Sequence, residues 1–295
     1  MKIKQSREDR IFGFIVNTVL ILGVLACFYP LYLVVINSFS DPSEVAMGNV
    51  YIVPKGFVLD AYIKVFEDGE LMRGYANALY HTVMGTALNM LFTIPCAYAL
   101  SKKKLYGGKL VMRIFIVTMY FSGGVIPTYL LIQGLGLLNT HWAVILMGCL
   151  SVTNLIIART FFSSSIPAEL EEAAEIDGCN PIQIFLKIVL PLSKAMISVI
   201  MLYYAVFRWN DYTSALYFQP MAQKLYPLQM ILRQILVEAV RNTMIESSEL
   251  ADYYANIANQ MKYAVIVVAS VPLLILYPFV QKYFEKGVML GSVKG

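Results

Sequence analysis

From Ile114 to Ala158 the chain carries no Asp, Glu, Lys or Arg. A transmembrane helix needs about 20 mostly apolar residues, so this stretch alone has room for two. Its composition agrees: 58% of residues are hydrophobic and 14% charged, whereas soluble domains sit near a quarter charged. The excess apolar surface must face lipid. Other runs of spanning length are Ile11 to Phe39, Gly74 to Leu100, about Ala195 to Phe218, and Lys262 to Lys282. With the uncharged stretch divided near Gly134-Leu135-Gly136 and Asn139, six spans are expected. The fold class is therefore all-α: a polytopic membrane protein with six transmembrane helices in residues 11–285, a short N-terminus 1–10 and a tail 286–295.

Orientation follows from the positive residues. The N-terminus (Lys2, Lys4, Arg7, Arg10), the loop from Lys102 to Arg113, the segment from Arg159 to Lys194 and the C-terminus together carry fifteen Lys or Arg, and the opposite loops carry seven. The positive-inside rule places both termini in the cytoplasm. Val24-Leu25-Ala26-Cys27 is loosely similar to a lipoprotein cleavage site. The apolar run continues to Phe39, too long for a signal core, so an uncleaved first span is expected.

Little in the chain points to catalysis. Cys27, Cys96, Cys149 and Cys179 have no metal or redox spacing among themselves. His81 and His141 have no carboxylate or Cys nearby at ligand spacing and read as structural. The net charge of +4 is spread over short loops and reports topology, not a nucleic-acid surface. Gly123-Gly124 before Pro127 reads as a hinge beside a solute path, because a proline in a span needs a neighbouring partner for the carbonyl it frees.

The most polar stretch is 163–191. Ser165 is suited to capping a helix and Pro167 to its first turn, and Glu169, Glu171 and Glu172 favour the positive helix end. Gly178 suits a left-handed stop. Asn180-Pro181 then starts a second short helix ending near Pro191. Leu170, Ala173, Ala174 and Asp177 are expected on one face, with the paired alanines admitting close approach by a partner. So short a helix is marginal alone and makes sense as a peg in a partner's groove.

Glu172-Ala173-Ala174, Gly178 and Ile188-Val189-Leu190-Pro191 resemble the cytoplasmic loop of ABC importer permeases at every fixed position. Trp209-Asn210-Asp211-Tyr212 and the tail Gly291-Ser-Val-Lys-Gly295 resemble the maltose-permease-like second subunit of the carbohydrate branch, served by a lipoprotein receptor. The resemblance implies a type I importer permease fold with a cytoplasmic coupling helix near Ala168 to Asp177. Glu172, Ala173, Ala174, Asp177, Gly178, Leu190 and Pro191 would carry ATPase coupling. It implies a second, different permease subunit, two cytoplasmic ATPase subunits, an extracytoplasmic sugar-binding (lipo)protein and a carbohydrate substrate at the bacterial cell membrane. The tail, with Gly291, Lys294 and Gly295, would reach the interface between the ATPases.

The chain has no phosphate-binding loop: Gly107-Gly108-Lys109 is followed by Leu110 and lacks the upstream glycine. No cofactor is expected here, and ATP and Mg would be bound by the partner ATPases. Arg208 and Asp211, three apart in the fifth span, admit two readings: a polar lining of the translocation path, or a structural ion pair. Trp209, Asn210 and Tyr212 likewise fit either sugar contact or an aromatic belt. The segment from Met221 to Lys262 contains an amphipathic helix around Ile231 to Ala239, either lying on the membrane surface or docking the external receptor. The competing functions are import of a non-sugar solute, ion-coupled secondary transport and a membrane-embedded enzyme. Secondary transport would want mid-membrane carboxylates and repeats, and an enzyme would need a His/Asp/Glu cluster in the spans.

Overall fold

The computed structural model describes residues 7–242, 260–275 and 277–278, which are mostly helical with no strand among them. Expectations for the tail 286–295, including Gly291, Lys294 and Gly295, and for the polar stretch after Asn242 lie outside the described residues. The chain divides into two compact units, residues 1–69 with 234–270 and residues 70–233 with 271–295.

In the first unit, α1 (Arg7–Ser38) opens with Glu8 and Asp9 at its positive end and continues as an almost unbroken apolar run. It is long and apolar enough to cross a membrane. At its far end the chain turns into α2 (Pro42–Ala46) and α3 (Asp60–Glu67). Asp41 caps α2, and its hydrogen bonds from the Ser43 side chain and backbone hold its carboxyl below the ordinary carboxylate range. Phe39 lies between the rings of Phe57 and Tyr62, at centroid distances of 5.6 and 4.9 Å. Ser38 and Ser40 are fully buried, and Gln260 donates its side-chain amide to the Ser40 carbonyl.

The second unit is built on α4 (Gly69–Ser101), the other single helix of spanning length and apolarity. α5 (Gly108–Tyr120) and α6 (Val125–Gly134) meet at a 114° bend across 121–124, where Gly124 has φ +83° and Pro127 sits in the first turn of α6. The chain turns at 135–140, with Asn139 at φ +61°. It continues as α7 (His141–Leu146) and α8 (Val152–Ser165). The uncharged stretch is thus broken at 121–124, 135–140 and 147–151, twice more than the expected division at Gly134–Asn139. Gly123-Gly124 explains the first extra break, while 147–151 has no proline to announce it.

α9 (Ala168–Ile176) follows, then α10 (Pro181–Ile184), which runs on through a π turn (Phe185–Val189) into α11 (Leu190–Leu192). This short rod bends by 83° into α12 (Lys194–Asn210). α13 (Thr213–Phe218), a 3-10 turn and the start of α14 (Leu228–Asn242), as far as Arg233, belong to this unit. α15 (Gln260–Ile275) is a shorter apolar helix. Among the described residues two helices are long and apolar enough to cross a membrane, or four if each bent pair counts as one span. Gly74 lets α14 close on α4: a Cβ there would lie 2.3 Å from Ile231 Cδ1. Asn77 of α4 donates to the carbonyls of Lys224 and Tyr226 at 2.9 and 3.1 Å.

Candidate functional site

Two constellations stand out in the second unit. The first is α9. It starts at Pro167, which offers no side-chain cap, while Ser165 ends α8 instead of capping α9 as the sequence led us to expect. The acidic first turn compensates, with Glu169 and Glu171 beside the orphan N–H groups. The end of the helix is a Schellman motif: Gly178 takes φ +81°, its N–H reaches the Glu175 carbonyl at 3.0 Å, and Cys179 N–H reaches Ala174 at 2.9 Å. Asn180 and Gln183 then form a reciprocal capping box, with bonds of 3.0 and 2.9 Å and Pro181 at the first position.

Leu170, Ala173, Ala174 and Asp177 keep the i, i+3, i+4, i+7 spacing of one stripe, but the two alanines lie at its opposite edges and only Ala174 is buried. Consecutive helical residues point about 100° apart, so Ala174 is buried against this chain while Ala173 is exposed. Ala174 joins a core with Ala97 and Leu100 of α4, Ala158 and Phe162 of α8, Ile184 of α10 and Val189 of the π turn. Outside lie Glu172, Ala173, Asp177 and Ile176, the last 87% exposed. Glu171 bridges inward: Lys102, just past the end of α4, ion-pairs with it and lies 4.0 Å from the centre of the Tyr98 ring. Arg159 of α8 donates to the Leu100 carbonyl at 2.9 Å. α9 is therefore fixed to the end of α4 by packing and by charge, and a force on it passes to that helix. Leu190 is half-buried at the edge of the same core, and Pro191 is exposed.

The second constellation surrounds Arg208, near the end of α12 and 2% exposed. Arg208 Nε and Nη2 donate to Asn89 Oδ1 of α4, at 3.2 and 2.8 Å. Nη1 and Nη2 donate to the carbonyls of Val144 and Ile145, each at 2.9 Å. Asn89 in turn donates to the Gly148 carbonyl at 2.9 Å. The Tyr204 hydroxyl accepts the Ser151 N–H at 3.0 Å and hydrogen-bonds Thr93 at 2.6 Å.

These are the backbone groups that the break between α7 and α8 leaves without helical partners. In an apolar setting each unmet group costs several kcal/mol, and three side chains from α4 and α12 meet them. Gly85 makes room, since a Cβ there would fall 2.6 Å from Arg208 Nε. The negative C-terminal end of α7 suits the cation.

Of the two readings of Arg208 and Asp211, neither describes this geometry in full. Among the described residues no ion pair within 4.0 Å joins them. Asp211 instead accepts the Ser214 N–H at 3.0 Å and starts α13. Trp209 is buried with its ring edge-on to Tyr75 at 5.5 Å, while Asn210 and Tyr212 are exposed. The sequence reading also missed a histidine pair: His81 Nε2 and His141 Nδ1 lie 2.8 Å apart, one turn of α4 above Gly85. No group of three metal-ligating side chains occurs among the described residues.

Apolar helices of spanning length, with no strand among the described residues, define the class as a helical membrane component, and comparison with known proteins supplies the family. Residues 89–290 match the family of binding-protein-dependent transport system inner membrane components, and the chain belongs to it. It is 41% identical over 288 residues, 98% of this chain and 100% of the relative, to the polygalacturonan/rhamnogalacturonan transport system permease protein YtcP of Bacillus subtilis (strain 168). Protein LplC of the same organism is 41% identical over 98% of this chain and 97% of its own. The solved structure of a bacterial ABC transporter involved in import of the acidic polysaccharide alginate contains a chain that superposes with TM-score 0.86 at 33% identity. The match covers 96% of this chain and 100% of that one.

Proposed function

We propose that this chain is a permease subunit of an ATP-driven carbohydrate importer, and that its substrate is an oligosaccharide bearing uronic-acid groups. The observation that carries the mechanism is the fixing of α9 to α4 through Ala174 and the Glu171–Lys102 pair, with Ala173 and Ile176 left facing outward. A peg of this kind receives force from a partner and hands it to a long helix. In this reading α9 and both termini are cytoplasmic, α9 seats in one of two ATPase subunits that bind ATP and Mg, and this chain carries no reaction itself. A different permease chain completes the path, an extracytoplasmic binding protein delivers the sugar, and the tail with Gly291, Lys294 and Gly295 reaches the ATPase interface. All six spans cross the membrane.

The acidic substrate class is supported by the relatives at 41% and 33% identity, which handle polygalacturonan/rhamnogalacturonan and alginate. Within 208–212, Asn210 and Tyr212 are the exposed members and line the path, and Arg208 supports it from behind by holding the broken helix. The test is uptake by proteoliposomes holding the complete transporter, with labelled oligogalacturonide and neutral raffinose offered in turn. ATP-dependent uptake of oligogalacturonide in excess of raffinose is expected. Raffinose uptake in its place would overturn the substrate class, and uptake without the ATPases would overturn the mechanism.

A further inference from the structure

We infer that the loop 47–57 is a lipid anchor seated at the membrane boundary opposite the N-terminus. A span of about 20 residues begun at Ile11, the first apolar residue after Arg10, ends near Leu31. α1 continues to Ser38 and is longer than a span needs, so with Arg10 at the inner boundary its last turns reach the outer headgroup region. The chain leaves that end but does not stay there: it folds back along the helix. The Tyr29 hydroxyl donates to the Tyr51 carbonyl at 3.3 Å, and the Tyr32 hydroxyl donates to the Ile52 carbonyl. Tyr29 is nine residues before Ser38, so at about 1.5 Å per residue the loop returns roughly 13 Å toward the bilayer. That brings it level with Phe28, Tyr29 and Tyr32, where aromatic belts sit.

Three features of the loop agree with that depth. Ile52, Val53 and Phe57 are 72%, 62% and 67% exposed and continue the exposed apolar surface of Phe28 and Leu31 on α1. Carbonyls near hydrocarbon need donors, and the two tyrosines supply them to Tyr51 and Ile52. The loop is held from above, where a hydrophilic foot would be wanted: Lys55 pairs with Glu44 at 3.7 Å, and the Asp41 N–H reaches the Lys55 carbonyl at 2.8 Å. Apolar tip, aromatic level and basic foot form the usual order of an interfacial anchor. The occupant is the headgroup–acyl boundary of the bilayer.

The test is collision accessibility of a nitroxide placed by Ile52→Cys, with Cys27, Cys96, Cys149 and Cys179 each replaced by Ser, in the complete transporter in proteoliposomes. Val53→Cys serves as the second site and Glu67→Cys on α3 as the aqueous control. The Ile52 and Val53 labels should collide more with oxygen than with a water-soluble nickel chelate, the reverse of the Glu67 label. Labels that collide mainly with the chelate would place the loop in water, free for a soluble partner. Labels reached by neither reagent would place it against a protein subunit. Either of those results overturns the anchor.

Discussion

Arg208 and Asn89 face each other across α12 and α4, with the guanidinium clasping one amide oxygen at 2.8 and 3.2 Å. Their remaining donors serve the backbone between α7 and α8. An intramembrane arginine is ordinarily suspected of binding substrate or an opposing charge. Here it stands in for the hydrogen bonds of a broken helix. Asn89→Leu leaves the guanidinium short of an acceptor and the Gly148 carbonyl short of a donor. Loss of a buried polar partner costs about 1–3 kcal/mol, more for a charged group. A clear fall in thermal midpoint of the purified transporter is expected. Arg208→Lys, which keeps the charge but loses the planar fork, should fall less than Arg208→Met.

Gly85→Ala attacks the same seam from the other side. Its Cβ would lie 2.6 Å from Arg208 Nε and 2.8 Å from Cδ. The arginine stem must shift and its four bonds lengthen, at a cost of about 1–3 kcal/mol as for other overpacked interiors. Gly134→Ala in α6, where a Cβ meets nothing within 4 Å, should leave the midpoint unchanged or raise it slightly. Equal effects of the two substitutions would remove Gly85 from the account.

The Glu171–Lys102 pair is the charged strut between α9 and α4. Lys102→Met should leave assembly intact while weakening transmission. The readout is ATP hydrolysis by the complete transporter in liposomes, where stimulation by sugar-loaded binding protein should drop more than basal hydrolysis. The double swap Lys102→Glu with Glu171→Lys should recover part of the stimulation. No loss of stimulation in Lys102→Met would mean that packing through Ala174 suffices.

Gly178 holds φ +81° at the end of α9. A branched side chain there costs about 1–2 kcal/mol, so Gly178→Val should lose uptake at normal membrane levels of the protein. Gly178→Asn, which tolerates the left-handed region, should keep most of it.

Much of α9 was legible in the sequence because its signals are local. Gly178 marked the stop and Asn180-Pro181 the restart, each readable within a few residues. Which alanine faces inward was not legible: it depends on Ala97, Phe162 and Ile184, which come from other helices. The break at 147–151 carries local signals in Gly148, at φ +65°, and in the Ser151 cap, but the groups that hold it are distant. Its side-chain partners, Asn89, Tyr204 and Arg208, lie 53 to 64 positions away along the chain. A signal did exist in Gly85, Asn89 and Thr93, small or polar residues every fourth position in an apolar helix. That is the pattern of a face pressed against another helix. His81 begins the same every-fourth series, but its partner His141, 60 positions away, is not marked by it.

The central claim is that α9 takes force on one side and gives it on the other. It is tested most directly by comparing Ala173→Trp with the wild-type transporter. Ala173 is exposed and Ala174 is buried, so a large ring at 173 spares this chain's own core. The account predicts an unchanged thermal midpoint for this chain with its partner permease, ATPase subunits that no longer co-purify, and no ATP-driven sugar uptake. Normal uptake with the ATPases still bound to Ala173→Trp would contradict it.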